Sequence, residues 1–161
     1  VCIEAKFCSG NPIAHASAAK TGEKPTDRDG LLRRYLDPAS ERTRSAVDRN
    51  RIGDVFHGQL FRNIVFASEM AGEIGANAQW HVVSLMSETQ RKRGKNTAEY
   101  SFDDPTEAIT AFLAAPYRAR FTFRTWEGIY GALVKPRAEL AGLATYFQTK
   151  SARYLPAFEL V

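Results

Sequence analysis

Two charged residues near the start of the chain could act together in a chemical site. Glu4 and Lys6 are two residues apart in VCIEAKFC, where apolar residues alternate with others as in a β-strand. Side chains two apart in a strand lie on the same face, so these two charges are neighbours. The opposite face is expected to pack against a core and holds Val1, Ile3, Ala5 and Phe7. The pair is either an ordinary ion pair or part of a functional site.

The strongest helical pattern in the chain is the segment DVFHGQLFRNIVFASEMAGEIG. Its apolar residues recur every three or four positions, which predicts one buried stripe of Phe56, Leu60, Ile64, Ala67, Ala71 and Ile74. Asp54 is the expected N-cap, because its side chain can accept from free backbone N–H groups. Gly75 is the expected C-terminal stop.

Two polar candidates lie on a neighbouring face of this predicted helix. Gln59 and Arg62 are three residues apart and are flanked by Val55 and Phe66. We expect this second face to be partly buried, and buried polar groups require partners. Gln59 and Arg62 are therefore either a hydrogen-bonded helix edge or part of a site.

The charge balance leans towards a polyanionic partner. The net charge is +4 and the isoelectric point is about 9.2. Many of the basic residues fall in two runs, ERTRSAVDRNR and RKRGK. Each run is either a solvated surface or a phosphate-binding surface.

Composition excludes several other classes of protein. With 161 residues, 44% apolar and 25% charged, the chain fits one globular domain spanning 1–161. It has neither a membrane-spanning stretch nor a signal-peptide pattern. Cys2 and Cys8 are about 20 Å apart by strand rise, so we expect free thiols in a reducing, cytoplasmic compartment. A zinc site is not expected, because the three histidines do not cluster with the cysteines in the sequence; they are His15, His57 and His81.

The remaining segments alternate between strands and helices, which predicts an α/β layered domain. Two further strands are predicted, QWHVVSLMS and ARFTFRTW. Helices are predicted over DGLLRRYLD (ended by Pro38), ERTRSAVDRNR, DPTEAITAFLAA, WEGIYGALV and PRAELAGLATYFQTKSARY. We expect the segment ETQRKRGKN to be a charged loop and residues 9–29 to be a mobile loop.

Some details of these later helices can also be predicted. Asp104 is the expected cap of its helix and Pro105 the first helical residue, because proline tolerates that position. The last helix is expected to begin at Pro136. Large aromatic residues on apolar helices are usually core, so we expect burial rather than base stacking for Trp126, Tyr146 and Phe147.

Several segments, taken in order, resemble one family. They are VCIEAKF, DGLLRRYLD, QLFRNIVFA, FRTWEGIYGAL and ELAGLATYFQTK, and they resemble bacterial nucleases of the PD-(D/E)xK, or restriction-endonuclease-like, superfamily. In that superfamily an E-x-K strand precedes a core helix whose polar residue faces the site. The resemblance implies an α/β fold with a mixed sheet flanked by helices. It also implies hydrolysis of DNA, more than RNA, with Mg²⁺ or Mn²⁺.

The resemblance also implies roles for individual residues. Glu4 matches the metal ligand, with the Ala5 backbone carbonyl as a second oxygen. Lys6 matches the group that orients the attacking water or stabilises developing charge. Gln59 matches the helix-borne catalytic residue, with Arg62 as the alternative. The candidate phosphate contacts are Arg62, Arg91, Lys92 and Arg93.

One acidic residue of the superfamily pattern has no clear counterpart. The pattern places it on a strand before the E-x-K strand, and only three residues precede Glu4. Asp27, Asp29 or Glu41 could take its place. We expect either the C-terminal part of a nuclease, whose first core strands lie upstream, or a truncated relative with an incomplete site. The exposed strand edge could be covered in a homodimer.

Two alternatives remain open from the sequence. The first is a non-catalytic module on the same fold that binds nucleic acid or a partner and keeps the Glu4–Lys6 pair as an ion pair. The second is an unrelated α/β protein whose likeness to the nucleases is accidental.

Overall fold

A three-stranded parallel sheet forms the centre of the protein. The computed structural model describes residues 1–6, 10–15, 27–153 and 160, and for residues 3–6 it describes the backbone alone. The described strands, in chain order, are β1 (Cys2–Lys6), β2 (Asn11–Pro12), β3 (Val82–Met86), β4 (Tyr100–Ser101) and β5 (Phe121–Thr125). The parallel sheet has the order β1-β3-β5, and β2 pairs antiparallel with β4 in a separate ribbon.

Helices connect and cover these strands. The described α-helices are α1 (Arg28–Leu31), α2 (Glu41–Ala46), α3 (Gly58–Ile74), α4 (Glu88–Arg93), α5 (Thr106–Phe112), α6 (Trp126–Ile129) and α7 (Ala141–Arg153). A π-helical turn continues α1 over Leu32–Leu36, and another continues α6 over Tyr130–Val134. Short 3₁₀ helices lie at Arg49–Arg51, Ala115–Arg120 and Ala138–Leu140.

The α/β prediction is confirmed at the level of fold class. The two strands predicted after the first one are present as β3 and β5, and the predicted helices are all represented. The described strands form a parallel sheet and a separate antiparallel ribbon rather than one mixed sheet. None of the described helices is both long and apolar enough to cross a membrane.

The main core lies between α3, α5 and one face of the sheet. Three fully buried aromatic rings meet there, with ring centroids 5.1 Å apart for Phe56 and Phe61 and 6.3 Å from each to Phe112. Val82 of β3 and Phe121 of β5 belong to the same cluster. Replacing a ring of this kind by alanine costs about 3–5 kcal/mol, so this cluster holds α3 against the sheet.

Helix α3 confirms most of the predicted stripe and the stop at Gly75, but not the burial of Ile74 or the cap at Asp54. The buried members are Phe56, Leu60, Ile64, Ala67 and Ala71, and the helix stops at Gly75, whose φ is +153°. Ile74 is 77% exposed, so its predicted burial is wrong, because no described residue covers its side of the last turn. Asp54 is not the cap: the Phe56 carbonyl accepts from the Ala14 N–H in an isolated bridge, which keeps the chain extended up to His57.

The second face of α3 is also more exposed than predicted. Val55 is 52% exposed and Phe66 is 61% exposed. The apolar pattern alone could not show this, because a second apolar face is buried only where another element lies over it.

Strand β1 differs from the prediction in which face meets the core. Val1, expected on the core side, is almost fully exposed, whereas Cys2 packs against the main core cluster. The register explains this, because Cys2 lies beside Val82, which is fully buried. Cys8 lies outside the described residues, so the expectation of two free thiols stays a prediction.

Two predicted loops contain regular structure. The segment ETQRKRGKN is largely the helix α4, because the Ser87 Oγ accepts from the Gln90 N–H and caps it. Within the predicted loop 9–29, Asn11 and Pro12 form strand β2, and α1 begins at Arg28. Residue 9 and residues 16–26 of that loop lie outside the described part of the chain.

Helix boundaries near prolines also shift. Helix α5 begins at Thr106 with Pro105 before it, although the Asp104 Oδ1 does accept from the Thr106 N–H at 2.8 Å. The last helix begins at Ala141, after a 3₁₀ turn, and not at Pro136.

The late aromatic residues form a smaller core of their own. Phe147 is buried against Tyr130 and Trp126, with ring centroids 6.0 and 5.8 Å apart, so core packing is confirmed for Phe147 and Trp126. Tyr146 is about half exposed, so its predicted burial is wrong. It lies next to Phe147 on α7, on the side of the helix that faces solvent.

Candidate functional site

The strand that carries Glu4 and Lys6, β1, lies at the edge of the sheet and pairs with the central strand, β3. Glu4 is in register with Ser84 of β3, and Lys6 is in register with Met86. Ser84 is fully buried in the middle of β3, and its Oγ has no hydrogen-bond partner among the described residues. Buried hydroxyl groups normally have a partner. A polar position in the interior, beside Glu4 in the register, is therefore established at this point of the sheet.

The N-terminal end of α3 lies at the end of the sheet where β1 and β3 finish. Helix α3 ends at Ile74 shortly before β3 begins at Val82, so it runs back along the sheet, antiparallel to the strands. Its first residues touch the β2–β4 ribbon, which follows β1 and β3 in the chain. In open parallel sheets, ligands bind beyond the carboxyl ends of the strands.

Two adjoining hollows at this end share four residues, which we call the basic cleft: Arg34, Tyr35, Gln59 and Arg62. One hollow continues along α3 to Phe66 and Glu69, and the other reaches the ribbon at Glu99 and Tyr100. The structure thus brings together Gln59 and Arg62, which the sequence singled out, with Arg34 and Tyr35, which it did not.

The arginines of the basic cleft are available to a ligand. The Arg34 guanidinium lies over the Tyr35 ring, 5.5 Å from its centroid, which holds it in place without neutralising it. Neither Arg34 nor Arg62 has a hydrogen bond or an ion pair from its side chain to the described residues. Planar guanidinium groups suit phosphate oxygens, so the cleft can bind a phosphate chain.

Glu69, which lines one of the two hollows further along α3, is already engaged. Glu69 Oε1 accepts from the Ser40 backbone N–H at 3.1 Å and from the Ser40 Oγ at 2.6 Å. Partial burial raises the pKa of Glu69, but the hydrogen bonds from Ser40 and Thr43 outweigh it and leave the pKa below its ordinary value. Glu69 stays ionised, and Ser40 rather than Arg62 holds it.

The second set of predicted phosphate contacts lies elsewhere and is partly neutralised. On α4, Arg91 makes two hydrogen bonds to Glu88, at 2.8 and 2.9 Å, and the Lys92 Nζ lies 3.6 Å from the same carboxylate. The hydrogen bond from Arg91 is the main reason why the pKa of Glu88 is lowered. Arg93 is exposed on the same helix. None of these three basic residues lines the basic cleft.

The acidic residues considered for the missing position are held locally. Asp27 Oδ1 accepts from the Gly30 N–H at 2.6 Å and caps α1. Asp29 lies 3.4 Å from the Arg28 Nε, and Glu41 lies 3.0 Å from an Arg44 guanidinium nitrogen. Across the described ranges, no group of three or more His, Cys, Asp or Glu side chains is placed to hold a metal ion.

One carboxylate near the strand ends has a structural role that the sequence did not indicate. Glu127 follows β5, and its oxygens accept from the backbone N–H groups of Glu88 and Thr89 at 2.7 and 3.1 Å and from the Ser87 Oγ at 2.9 Å. It therefore ties the start of α4 to the end of β5. No local pattern predicts a contact between residues forty positions apart.

Comparison with known proteins adds no family. No protein-family model matches the chain, and no curated protein or solved structure matches it.

Proposed function

We propose that the chain belongs to a Mg²⁺-dependent nuclease that hydrolyses DNA phosphodiester bonds and binds the DNA backbone in the basic cleft. The observation that carries the proposal is the position of this cleft. Arg34 and Arg62 have no carboxylate partner among the described residues, and they lie at the end of the sheet where the Glu4–Lys6 strand finishes. Basic groups that position a phosphate beside an E-x-K strand are what a nuclease requires.

In this proposal the cleft residues bind and orient. Arg34 and Arg62 hold consecutive phosphates, and the Tyr35 ring keeps the Arg34 guanidinium in its orientation. Gln59, on the first turn of α3, lines the same cleft and can donate a hydrogen bond to a phosphate oxygen. Binding of this kind tolerates any base sequence and weakens steeply with salt, because it releases counterions.

The chemical step is assigned to the E-x-K strand. Glu4 and the Ala5 carbonyl would hold Mg²⁺, which activates water and polarises the phosphate. Lys6 would stabilise the charge that develops on the phosphate oxygens. The described residues contain no further cluster of metal ligands, so the proposed site is incomplete within them. The Ser84 hydroxyl, in register with Glu4 and without a hydrogen-bond partner among the described residues, supports a polar site there.

A non-catalytic nucleic-acid-binding module is the second candidate. The observation in its favour is that Asp27, Asp29 and Glu41 are all engaged in local contacts. None of them is free to complete a metal site without breaking a cap or an ion pair. In this case the basic cleft binds DNA and Glu4 serves only the fold.

Plasmid nicking and DNA affinity, measured together, separate the two candidates. We expect slow nicking that requires Mg²⁺ and disappears in Glu4→Gln and in Lys6→Ala, with DNA affinity nearly unchanged, because the lysine charge acts in the transition state. DNA binding without any nicking would favour the binding module. Absence of DNA binding at low salt would contradict both candidates.

A further inference from the structure

The outer side of α3 carries a row of large apolar side chains that are open to solvent. Phe66, Met70 and Ile74 are 61%, 46% and 77% exposed, and each follows the one before it by four residues. Residues at this spacing are neighbours on one side of a helix. We call these three residues the apolar row. Single exposed apolar residues are normal, but a contiguous set of large ones is typical of a surface that binds another macromolecule.

Two opposite charges border the apolar row along one edge. Arg62 lies one turn before Phe66, and Glu73 lies one turn after Met70. The two charged residues are eleven positions apart, which is close to three full turns, so they lie on the same side of α3. Both are exposed, and neither forms a side-chain hydrogen bond or an ion pair with the described residues. The edge of the row therefore has a basic end and an acidic end.

This surface is complementary to a second copy of itself in the antiparallel orientation. When Phe66 of each copy packs against Met70 of the other, Arg62 of one copy is level with Glu73 and Ile74 of the other. A two-fold axis between two antiparallel helices keeps their charged edges on the same side of the pair. Each Arg62 then faces the Glu73 of the other copy. The register that buries the apolar row is thus also the one that forms two ion pairs.

We propose that the outer side of α3 is the interface of a homodimer, in which two copies pair antiparallel through their apolar rows and through reciprocal Arg62–Glu73 ion pairs. The charge complementarity selects a second copy as the occupant, because the apolar row alone would suit any apolar partner. An interface that is limited to one side of a 17-residue helix is small, below about 1,200 Å² in total. The dimer is therefore weak, with a dissociation constant in the micromolar range.

The dimer has one consequence for the basic cleft, and this consequence alone rests on the proposed function. Arg62 lines the basic cleft, and in the dimer it lies beside a carboxylate of the other copy. A phosphate and the second copy therefore compete for the same guanidinium group. The monomer is the form that binds DNA more tightly, and DNA shifts the equilibrium towards the monomer.

Sedimentation equilibrium of the full chain, at low salt and without DNA, tests the proposal. We expect a monomer–dimer equilibrium that Phe66→Ser with Met70→Ser weakens by about tenfold or more, because these side chains supply the apolar contact. The matched control is Leu133→Ser with Leu143→Ser, which replaces two other exposed leucines, 46% and 43% exposed, and should leave the equilibrium unchanged. A wild-type chain that stays monomeric at millimolar concentration would overturn the proposal and leave the apolar row to a different partner. A dimer that is unaffected by the Phe66 and Met70 changes would overturn it too.

A charge exchange tests the antiparallel register. Arg62→Glu alone and Glu73→Arg alone each place like charges opposite one another, and each should weaken the dimer by about fivefold. The double variant restores opposite charges in exchanged positions, so its dissociation constant should return close to that of the wild type. If the double variant is as weak as the single variants or weaker, the two residues do not meet across the interface and the proposed dimer is wrong. These measurements contain no DNA, so their failure would leave the proposed function unaffected.

Discussion

Two clefts near the start of α3 have opposite charges: the basic cleft, and a second one, the acidic cleft, whose carboxylates are Asp54, Asp103, Asp104 and Glu107. The residues of α3 and its cap that line them are nevertheless neighbours in the chain. Gln59 faces the basic cleft with Arg34 and Arg62, and His57 faces the acidic cleft with Asp103 and Glu107. The net charge of +4 gives no hint of this separation. The charge that a ligand meets is set by which side chains lack partners at each cleft.

This separation also orients a polyanion. If the chain binds DNA as proposed, the basic cleft would attract the DNA backbone and the carboxylates of the acidic cleft would repel it, which would give DNA a preferred direction of approach. The same comparison distinguishes the basic cleft from the basic run on α4, where Arg91 and Lys92 share Glu88. Arg34 and Arg62 pair with no carboxylate among the described residues, whereas Arg91 and Lys92 already pair with Glu88.

The largest effect is expected when the charge of the basic cleft is reversed. Arg34→Glu with Arg62→Glu should weaken the binding of a DNA duplex at low salt by about tenfold or more, because two phosphate contacts become repulsive. Fluorescence anisotropy measures this. The matched control is Arg91→Glu with Lys92→Glu on α4, for which we expect a clearly smaller loss. An equal loss in both double variants would show that the clefts do not differ as described.

A smaller effect of opposite sign is expected from the acidic cleft. Asp103→Asn with Glu107→Gln should tighten DNA binding by about twofold to threefold at low salt. The double variant removes the long-range repulsion between these two carboxylates and the DNA phosphates, which do not touch each other. The gain should vanish at high salt. A loss of affinity in this variant would mean that DNA contacts the acidic cleft itself.

The smallest predicted effect concerns stability and pH. Because burial lowers the pKa of His57, the unfolded chain binds a proton that the folded chain does not, and the free energy of unfolding falls as pH drops below about 6.5. His57→Gln should make the urea midpoint less dependent on pH between 7.5 and 5.5. His81→Gln should also flatten it, because burial and Arg120 lower the pKa of His81. An unchanged slope in His57→Gln would contradict the burial of its imidazole.

The sequence predicted those parts of the fold that depend on periodicity. The buried stripe of α3 and the strands β3 and β5 were found because helices and strands have different repeats. The exposure of Phe66 and Ile74 was not found, because it depends on what lies over α3. Helix α4 was mistaken for a loop, although Glu88 and Arg91 have the i,i+3 spacing of a helical ion pair.

The candidate site was predicted in part for the same reason. Gln59 and Arg62 were found from their place on a helix, but Arg34 and Tyr35 were not, because they join the cleft across a tertiary contact. The acidic cleft combines residues from positions 51–57 with others from 101–111, and no local pattern links them. The roles proposed for Glu4 and Lys6 remain predictions.

Arginine side-chain NMR during a DNA titration would test most directly whether the basic cleft is the surface that binds DNA. The Nε–Hε signals of Arg34 and Arg62 should shift at low DNA concentration, and that of Arg91 should stay in place because Glu88 already holds its Nε. Assignments follow from Arg34→Lys, Arg62→Lys and Arg91→Lys. If the Arg91 signal shifts first while those of Arg34 and Arg62 stay unchanged, DNA binds at α4 and the basic cleft is not the functional site.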